Sequence, residues 1–168
     1  MKALLLMILA SGGVAAADTK LGVMADAGVP DGATASVVVR PLSALRLHGG
    51  VGHNSISRGV RVGATLTPFK SFVYPTLSVD YGRYPEGDAN PLARMITGDD
   101  TIDSSKLEHI GYDFANAHLG LSFGRKRATF YLQAGMSRTS ATIHDDTTSM
   151  KLTMWSPSAR LGFVLYVY

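Results

Sequence analysis

Acidic and basic residues recur in this chain within segments that otherwise alternate between apolar and polar side chains. Buried charges of this kind must be paired, because an isolated ion in a low-dielectric interior is costly. Asp26 and Arg160 are expected to be neighbours, and Asp80 is expected to follow Arg46 and Arg61 in the next segment. The predicted charge network comprises Lys20, Asp26, Arg40, Arg46, Arg61, Asp80 and Arg160. We interpret it as a structural network that fills an interior, and the alternative is a gate or a narrow ion path.

One short motif could carry catalysis. His53-x-Ser55 is a local His/Ser pair, and the residue types suit acyl hydrolysis. A hydrolytic triad also requires an acid that orients the histidine, and no acid partner can be named for this pair. The sequence therefore predicts no catalytic residue.

Two acidic stretches contain metal-ligand types without a specific ligand spacing. They are Asp99-Asp100-x-x-Asp103 and His144-Asp145-Asp146. Solvated loop charge, or contact with cation-bridged anionic groups outside the chain, explains both without a dedicated metal site. His48 and His118 are expected to make hydrogen bonds in the interior, and no glycine-rich phosphate loop is present. We expect neither a metal nor a cofactor.

The charged residues are positioned by eight segments with a period of two, which is a β-strand pattern. Long polar connections are predicted over 82–108 and 138–151, with a short helix at Pro91–Met95 and a bulge at Pro75. An even number of strands, with both termini on one side, is the layout of an outer-membrane barrel. The predicted strands span residues 20–29, 34–40, 45–52, 60–67, 73–81, 114–123, 129–137 and 156–168.

The apolar side of the strands is expected to face lipid. The polar side carries too few charges for a water-facing surface, which is normally about 25–35% charged. It also holds many of the 18 glycines, and small residues suit the crowded interior of an eight-stranded barrel. Aromatic residues near strand ends predict two interfacial girdles, with Phe69, Phe72, Phe123, Phe130 and Tyr168 at one rim and Tyr81, Tyr84, Tyr112 and Trp155 at the other.

The first seventeen residues have the layout of a secretory signal peptide. A lysine is followed by an apolar run and then by small residues, with Ala15 and Ala17 as the A-x-A cleavage signal. The predicted organisation is a signal peptide at 1–17 and one barrel domain at 18–168. The chain has no cysteine and a net charge of +3, which is too weak and too evenly spread to indicate nucleic-acid binding.

The signal peptide, the eight alternating strands and the aromatic C-terminus together resemble the small outer-membrane β-barrels of Gram-negative bacteria, the OmpA-transmembrane and OmpX-like superfamily. The resemblance covers the whole mature chain by pattern. It implies an all-β, eight-stranded, antiparallel up-and-down barrel, exported through the periplasm and inserted by the barrel-assembly machinery. The implied assembly signal is Phe163, Tyr166 and Tyr168, although the family usually ends in phenylalanine.

These observations favour a structural or surface-interaction protein of the outer membrane. We expect a monomer whose partners are membrane lipid and lipopolysaccharide, with the loop at 82–108 as a surface for protein contact. The alternative is a narrow channel or a small-ligand transport barrel. A lipid A-modifying hydrolase that uses His53 and Ser55 is a third and weaker hypothesis. In the last strand, facing Leu161, Phe163 and Leu165 to lipid puts Arg160 inside, whereas a slip of one residue would place Arg160 in lipid. We expect the first register, which turns Tyr166 and Tyr168 inward, with a local irregularity near Tyr168.

Overall fold

The computed structural model describes residues 16–54, 56–69, 71–90, 94, 97–101, 110–125, 127–145 and 148–167. Eight strands account for most of them. Each strand pairs antiparallel with the next in sequence, and β8 pairs with β1, so the sheet is a closed barrel. The strands are β1 Ala16–Val29, β2 Gly32–Leu42, β3 Leu45–His53, β4 Arg58–Leu66, β5 Val73–Gly87, β6 Ile110–Arg125, β7 Ala128–Asp145 and β8 Thr148–Tyr166.

The strand register defines a strongly tilted barrel. Following paired residues around the sheet from Ala25 leads to Thr153 on β8, whereas the direct partner of Ala25 on β8 is Phe163. The offset of ten residues is the shear, and eight strands with such a stagger tilt by about 35–45° from the barrel axis. The connecting partners are Ala35, Val51, Val60, Arg83, Asp113 and Ser140.

Alternation along the strands separates an apolar exterior from a polar interior. Leu21, Val37, Leu119 and Leu161 are exposed on the outside, while Asp26, Arg61 and other polar residues are buried within the barrel. This is the reverse of a soluble barrel and the arrangement of a transmembrane one. The predicted fold and its orientation are therefore confirmed. Among the described residues, no helix is long and apolar enough to cross a bilayer.

The predicted pairing of β8 is also confirmed. Arg160 is buried, whereas Leu161, Phe163 and Leu165 are exposed, so the register that keeps the arginine out of lipid is the one adopted. Tyr166 is half-buried and faces the lumen, where it packs against an apolar cluster. Tyr168 lies outside the described residues.

Several predicted boundaries are wrong because strands continue beyond the membrane. The segment 138–151 is not a loop: β7 runs to Asp145, β8 starts at Thr148, and Asp145 pairs with Thr148. Likewise β5 runs to Gly87, so the long connection begins after it and not at residue 82. Polar residues there hide the strand pattern, because above the bilayer both faces of a strand can be solvated.

Local predictions at two other places have mixed outcomes. Pro75 pairs with Leu121 without a bulge, because it precedes Leu77, where β5 starts to pair with β4, and therefore has β6 as its one neighbouring strand. The nearest register shift on β5 lies between Tyr84 and Gly87. In the predicted helix at Pro91–Met95, Arg94 is helical, and Gly98 donates a backbone hydrogen bond to its carbonyl. The remainder of that prediction lies outside the described residues.

The lumen contains a layer of apolar side chains, whereas the sequence predicted polar side chains throughout. Met24, Val38 and Val164 face inward with Tyr131 and form a buried apolar cluster towards the end of the barrel where β1 begins and β8 ends. We call this the turn side, and the opposite end the loop side. Val38 breaks the polar pattern of β2 because it belongs to this cluster. The lumen therefore has a charged middle above an apolar layer.

Candidate functional site: the charged lumen

Two arginines in the middle of the lumen are paired across the barrel. Arg61 on β4 donates from Nη1 and Nη2 to the two oxygens of Asp26 on β1, at 2.9 and 2.5 Å. Arg160 on β8 lies 2.7 Å from Asp80 on β5 through its Nη2. Each pair joins two strands that are three positions apart around the closed barrel. The side chains therefore extend across the lumen instead of lying along its wall.

These partners differ from the expected ones. Asp26 and Arg160 are on adjacent strands, but Gly28 is the residue that pairs with Arg160, and Asp26 pairs with Gly162. An inward side chain opposite a glycine has free space beside it and extends across the lumen. Asp80 was expected to lie next to Arg46 and Arg61, but it forms ion pairs with Arg160, His48 and His118. Among the described residues, no ion pair joins it to Arg46 or Arg61.

Asp31 is a lumen residue that the sequence analysis missed. It belongs to the turn between β1 and β2, yet its side chain is buried and accepts a 2.8 Å hydrogen bond from Arg61 Nη1. Its other carboxylate oxygen accepts a 3.3 Å bond from Asn116 Nδ2. A Pro-Asp-Gly turn normally indicates a solvated loop tip. One feature of the sequence could have indicated the inward position of Asp31: the connection between β1 and β2 is too short to extend away from the barrel.

Three aromatic residues hold that turn over the loop-side mouth. The hydroxyl of Tyr84 donates to the carbonyl of Asp31, and the hydroxyl of Tyr112 donates to the carbonyl of Pro30 at 3.1 Å. The rings stack 5.1 Å apart, and Phe114 packs below both. The turn and these rings form a lid, which we call the tyrosine lid.

The aromatic girdle predicted for the loop-side rim is partly wrong. Tyr84 and Tyr112 are buried inside the mouth and do not face lipid. Tyr81 and Trp155 do face outward, and at the turn side Phe69, Phe72, Phe123 and Phe130 are exposed as predicted.

His118, Ser158 and Asp80 resemble a hydrolytic triad in composition but not in hydrogen-bond direction. His118 Nε2 lies 2.6 Å from Ser158 Oγ, and His118 Nδ1 lies 3.7 Å from Asp80. The Ser158 hydroxyl donates to the carbonyl of Val29, which can only accept. His118 Nε2 must then donate to the serine, whereas a general base has to accept its proton. The three residues are buried, and the arrangement is a structural one.

The other predicted chemical motifs are not assembled in the described part of the chain. His53 ends β3 with its side chain exposed, and Ser55 lies outside the described residues. Asp99 accepts two hydrogen bonds from Thr101, which lower its pKa and form a local turn. Asp103 and Asp146 also lie outside the described residues, as does Ala15. No cluster of metal-ligating side chains occurs among the residues described.

Three members of the predicted network stand apart from the central ion pairs. Arg46 is buried, with its guanidinium 5.4 Å from the centre of the Tyr131 ring. Arg40 is half-buried and donates from Nε to the carbonyl of Ser43 at 3.1 Å, closing the β2–β3 turn. Lys20 is half-buried and lies opposite Arg40 in the sheet. These cations all lie towards the turn side.

The exterior apolar band ends at a set of charges on the loop side. On β4, β5, β6 and β7 the next outward residue beyond the band is Arg58, Arg83, Asp113 and Arg138, respectively. Arg83 and Asp113 form an exposed ion pair at 3.7 Å. On β8 the corresponding residue is Trp155, which pairs with Arg138. We call these five residues the outer collar.

Comparisons with known proteins find similar solved structures at low identity. No protein-family model and no curated protein match the chain. One similar solved structure is the N-terminal β-barrel domain of Pseudomonas aeruginosa OprF, at 13% identity over 88% of this chain and 96% of that one, with a TM-score of 0.44. Another is a major outer membrane protein from Thermus thermophilus, at 14% identity over 89% and 100%, with a TM-score of 0.42. The closed eight-stranded barrel with an apolar exterior is established by the chain's own register and burial pattern.

Proposed function

We propose that the protein is a non-enzymatic outer-membrane barrel with a structural or surface-interaction role and a lumen closed to solutes. The observation that carries this proposal is the pair of cross-lumen bridges, Arg61 with Asp26 and Arg160 with Asp80. Side chains that span the lumen and bond to the opposite wall leave it filled. The tyrosine lid above them and the apolar cluster below them add two further layers.

Conductance and stability of an Asp80→Asn variant test the closed lumen. We expect no single-channel steps from the wild type or the variant in planar bilayers. The variant should unfold more easily by about 3–5 kcal/mol, because Arg160 is left as a buried charge without a carboxylate. Unfolding is followed by the mobility of the folded band after incubation at increasing temperature.

Arg83→Gln is the matched control. It removes one partner of an ion pair on the exposed exterior, where Arg83 is 73% exposed, so the loss should be about 0–1 kcal/mol. Regular conductance steps from the wild type, or a large conductance gain in Asp80→Asn without loss of stability, would contradict the closed lumen and favour a gate.

The second candidate, a narrow channel, is favoured by buried polar atoms that lack a protein partner among the described residues. They include Ser36 Oγ, His48 Nδ1, Asn116 Oδ1 and Ser122 Oγ, all on lumen-facing positions. Buried polar groups of this kind are usually satisfied by internal water. A hydrated lumen is a requirement for conduction, and the conductance measurement above separates the two functions.

We further propose that the outer collar contacts the phosphate groups of lipopolysaccharide. Arg58, Arg83 and Arg138 are exposed at the level where the apolar band ends, which is where anionic head groups meet a transmembrane protein. Trp155 beside Arg138 suits the same interface. The connection between β5 and β6 remains the proposed surface for protein contact.

For export and assembly, our proposals are those that the sequence predicts. We propose removal of residues 1–17, insertion by the barrel-assembly machinery and a monomeric state, since one chain closes its own barrel. Phe163 of the assembly signal faces outward and packs near Phe130, with ring centres 6.1 Å apart. Tyr166 faces inward, so the signal presents its aromatic residues on two faces of β8.

A further inference from the structure

We infer that the turn-side end of the lumen is a binding site for an oxyanion, formed by Lys20, Arg40 and Arg46. We call these residues the basic vestibule. The inference does not depend on whether the lumen conducts, nor on what the loop side contacts.

The first observation is a like-charge pair on adjacent strands. Lys20 on β1 is directly opposite Arg40 on β2, and both are half-buried on the lumen-facing row. Opposed residues in a sheet have Cβ atoms about 4.5–5.5 Å apart, and like charges at that distance destabilise the pair. The repulsion is relieved when an anion lies between them.

The second observation is the buried guanidinium of Arg46 on β3. Only 2% of this residue is exposed, and its Nε has no hydrogen-bond partner in the described part of the protein. Its contact with the Tyr131 ring stabilises the charge but satisfies no N–H donor. Arginine has five donors in a planar fork that suits phosphate and carboxylate oxygens.

The third observation is the distribution of acids. The lumen carboxylates Asp26, Asp31 and Asp80 are engaged by Arg61 and Arg160. Tyr131 separates Arg46 from Asp26, because its ring faces the guanidinium and its hydroxyl donates to the carboxylate at 2.8 Å. Among the described side chains, no ion pair links a carboxylate to Lys20, Arg40 or Arg46.

The floor of the vestibule favours binding from outside the barrel. The apolar cluster adjoins it, because Arg46 contacts the Tyr131 ring of that cluster and Val38 lies two residues from Arg40 on the same face of β2. A charged site backed by apolar side chains has a low effective dielectric, which strengthens its attraction for an anion. The ligand chemistry is a phosphate-like oxyanion, supplied either as a soluble ion or as the head group of an anionic phospholipid.

Inorganic phosphate binding to the purified barrel in a neutral detergent tests the site. Phosphorus NMR line broadening at constant ionic strength measures the affinity. Arg46→Gln should weaken binding about tenfold or more, because a charge-assisted hydrogen bond contributes about 1.5–3 kcal/mol. Arg46→Lys should retain part of the affinity. Arg127→Gln, in the exposed turn between β6 and β7, is the control that should leave it unchanged.

Lys20→Gln and Arg40→Gln keep the test valid if Arg46 variants fold poorly, since both positions are only half-buried. Each should weaken phosphate binding.

Reconstitution into phosphatidylglycerol vesicles identifies the source: loss of phosphate binding there indicates a lipid head group, and retention indicates a soluble anion. Absence of binding to the wild type, or equal binding by all variants, would overturn the inference.

Discussion

At the residue scale, lumen glycines make room for the side chains that cross the barrel. A Cβ on Gly63 would lie 2.6 Å from His48 Nε2 and would also overlap Asp80 Oδ1, at the hydrogen bond between those two groups. A Cβ on Gly82 would overlap the Phe114 ring below the tyrosine lid. Glycine is needed at these positions for space, and the filled lumen depends on them.

Gly63→Ala should therefore destabilise the barrel by about 1–3 kcal/mol, since the added methyl group must displace a hydrogen-bonded pair in a packed interior. Gly49→Ala is the control on the same sheet, because its Cβ would contact Val62 Cγ1 at an ordinary 3.6 Å. That change should stay within about 0.5 kcal/mol. The temperature at which the folded band disappears measures both, and equal effects would contradict the tight packing around His48 and Asp80.

At the element scale, strands β4 to β8 form the loop-side rim of the barrel. Strands β5 to β8 continue past the apolar band, whereas β1 and β2 are joined there by the short turn that carries Asp31. The outer collar lies at the level where the exterior apolar band ends, and each strand from β4 to β8 contributes one residue to it. The alternation of each strand points its collar residue towards the lipid.

Replacement of Arg58, Arg83 and Arg138 by glutamine should reduce the amount of lipopolysaccharide that stays with the protein through purification. Three exposed cations near a membrane surface contribute about 1 kcal/mol each to contact with anionic lipid. Lipid phosphate per folded protein is the measurement, and Arg127→Gln at the opposite rim is the control. Unchanged lipopolysaccharide in the triple variant, with the fold intact, would remove the collar from the proposed interface.

At the scale of the whole molecule, the protein is a barrel whose exterior is apolar through the middle and whose interior holds its charges. The single tryptophan of the chain, Trp155, is 65% exposed at the loop-side edge of the apolar band. Its position makes it a reporter of both insertion and depth.

After reconstitution into vesicles, Trp155 fluorescence should be quenched more by lipids brominated near the head group than by lipids brominated near the chain end. The unheated protein should also migrate differently from the boiled protein in a detergent gel, as a closed barrel resists unfolding. Trp155→Phe, which removes the only tryptophan, gives the background signal. No quenching by either lipid, with the fold intact, would contradict membrane insertion.

The sequence by itself determined the eight strands, their order, the apolar exterior and the inward position of Arg160, because a period of two assigns each side chain to a face. It did not reveal where strands end above the bilayer, since the polar residues of 138–151 can form solvated strands as readily as loops. Only the tertiary structure decided the lumen partners. Barrel curvature and a shear of ten bring Arg61 to Asp26 and Asp31, and Arg160 to Asp80, across the lumen. Contacts across a closed sheet depend on these two quantities, and local sequence spacing encodes neither.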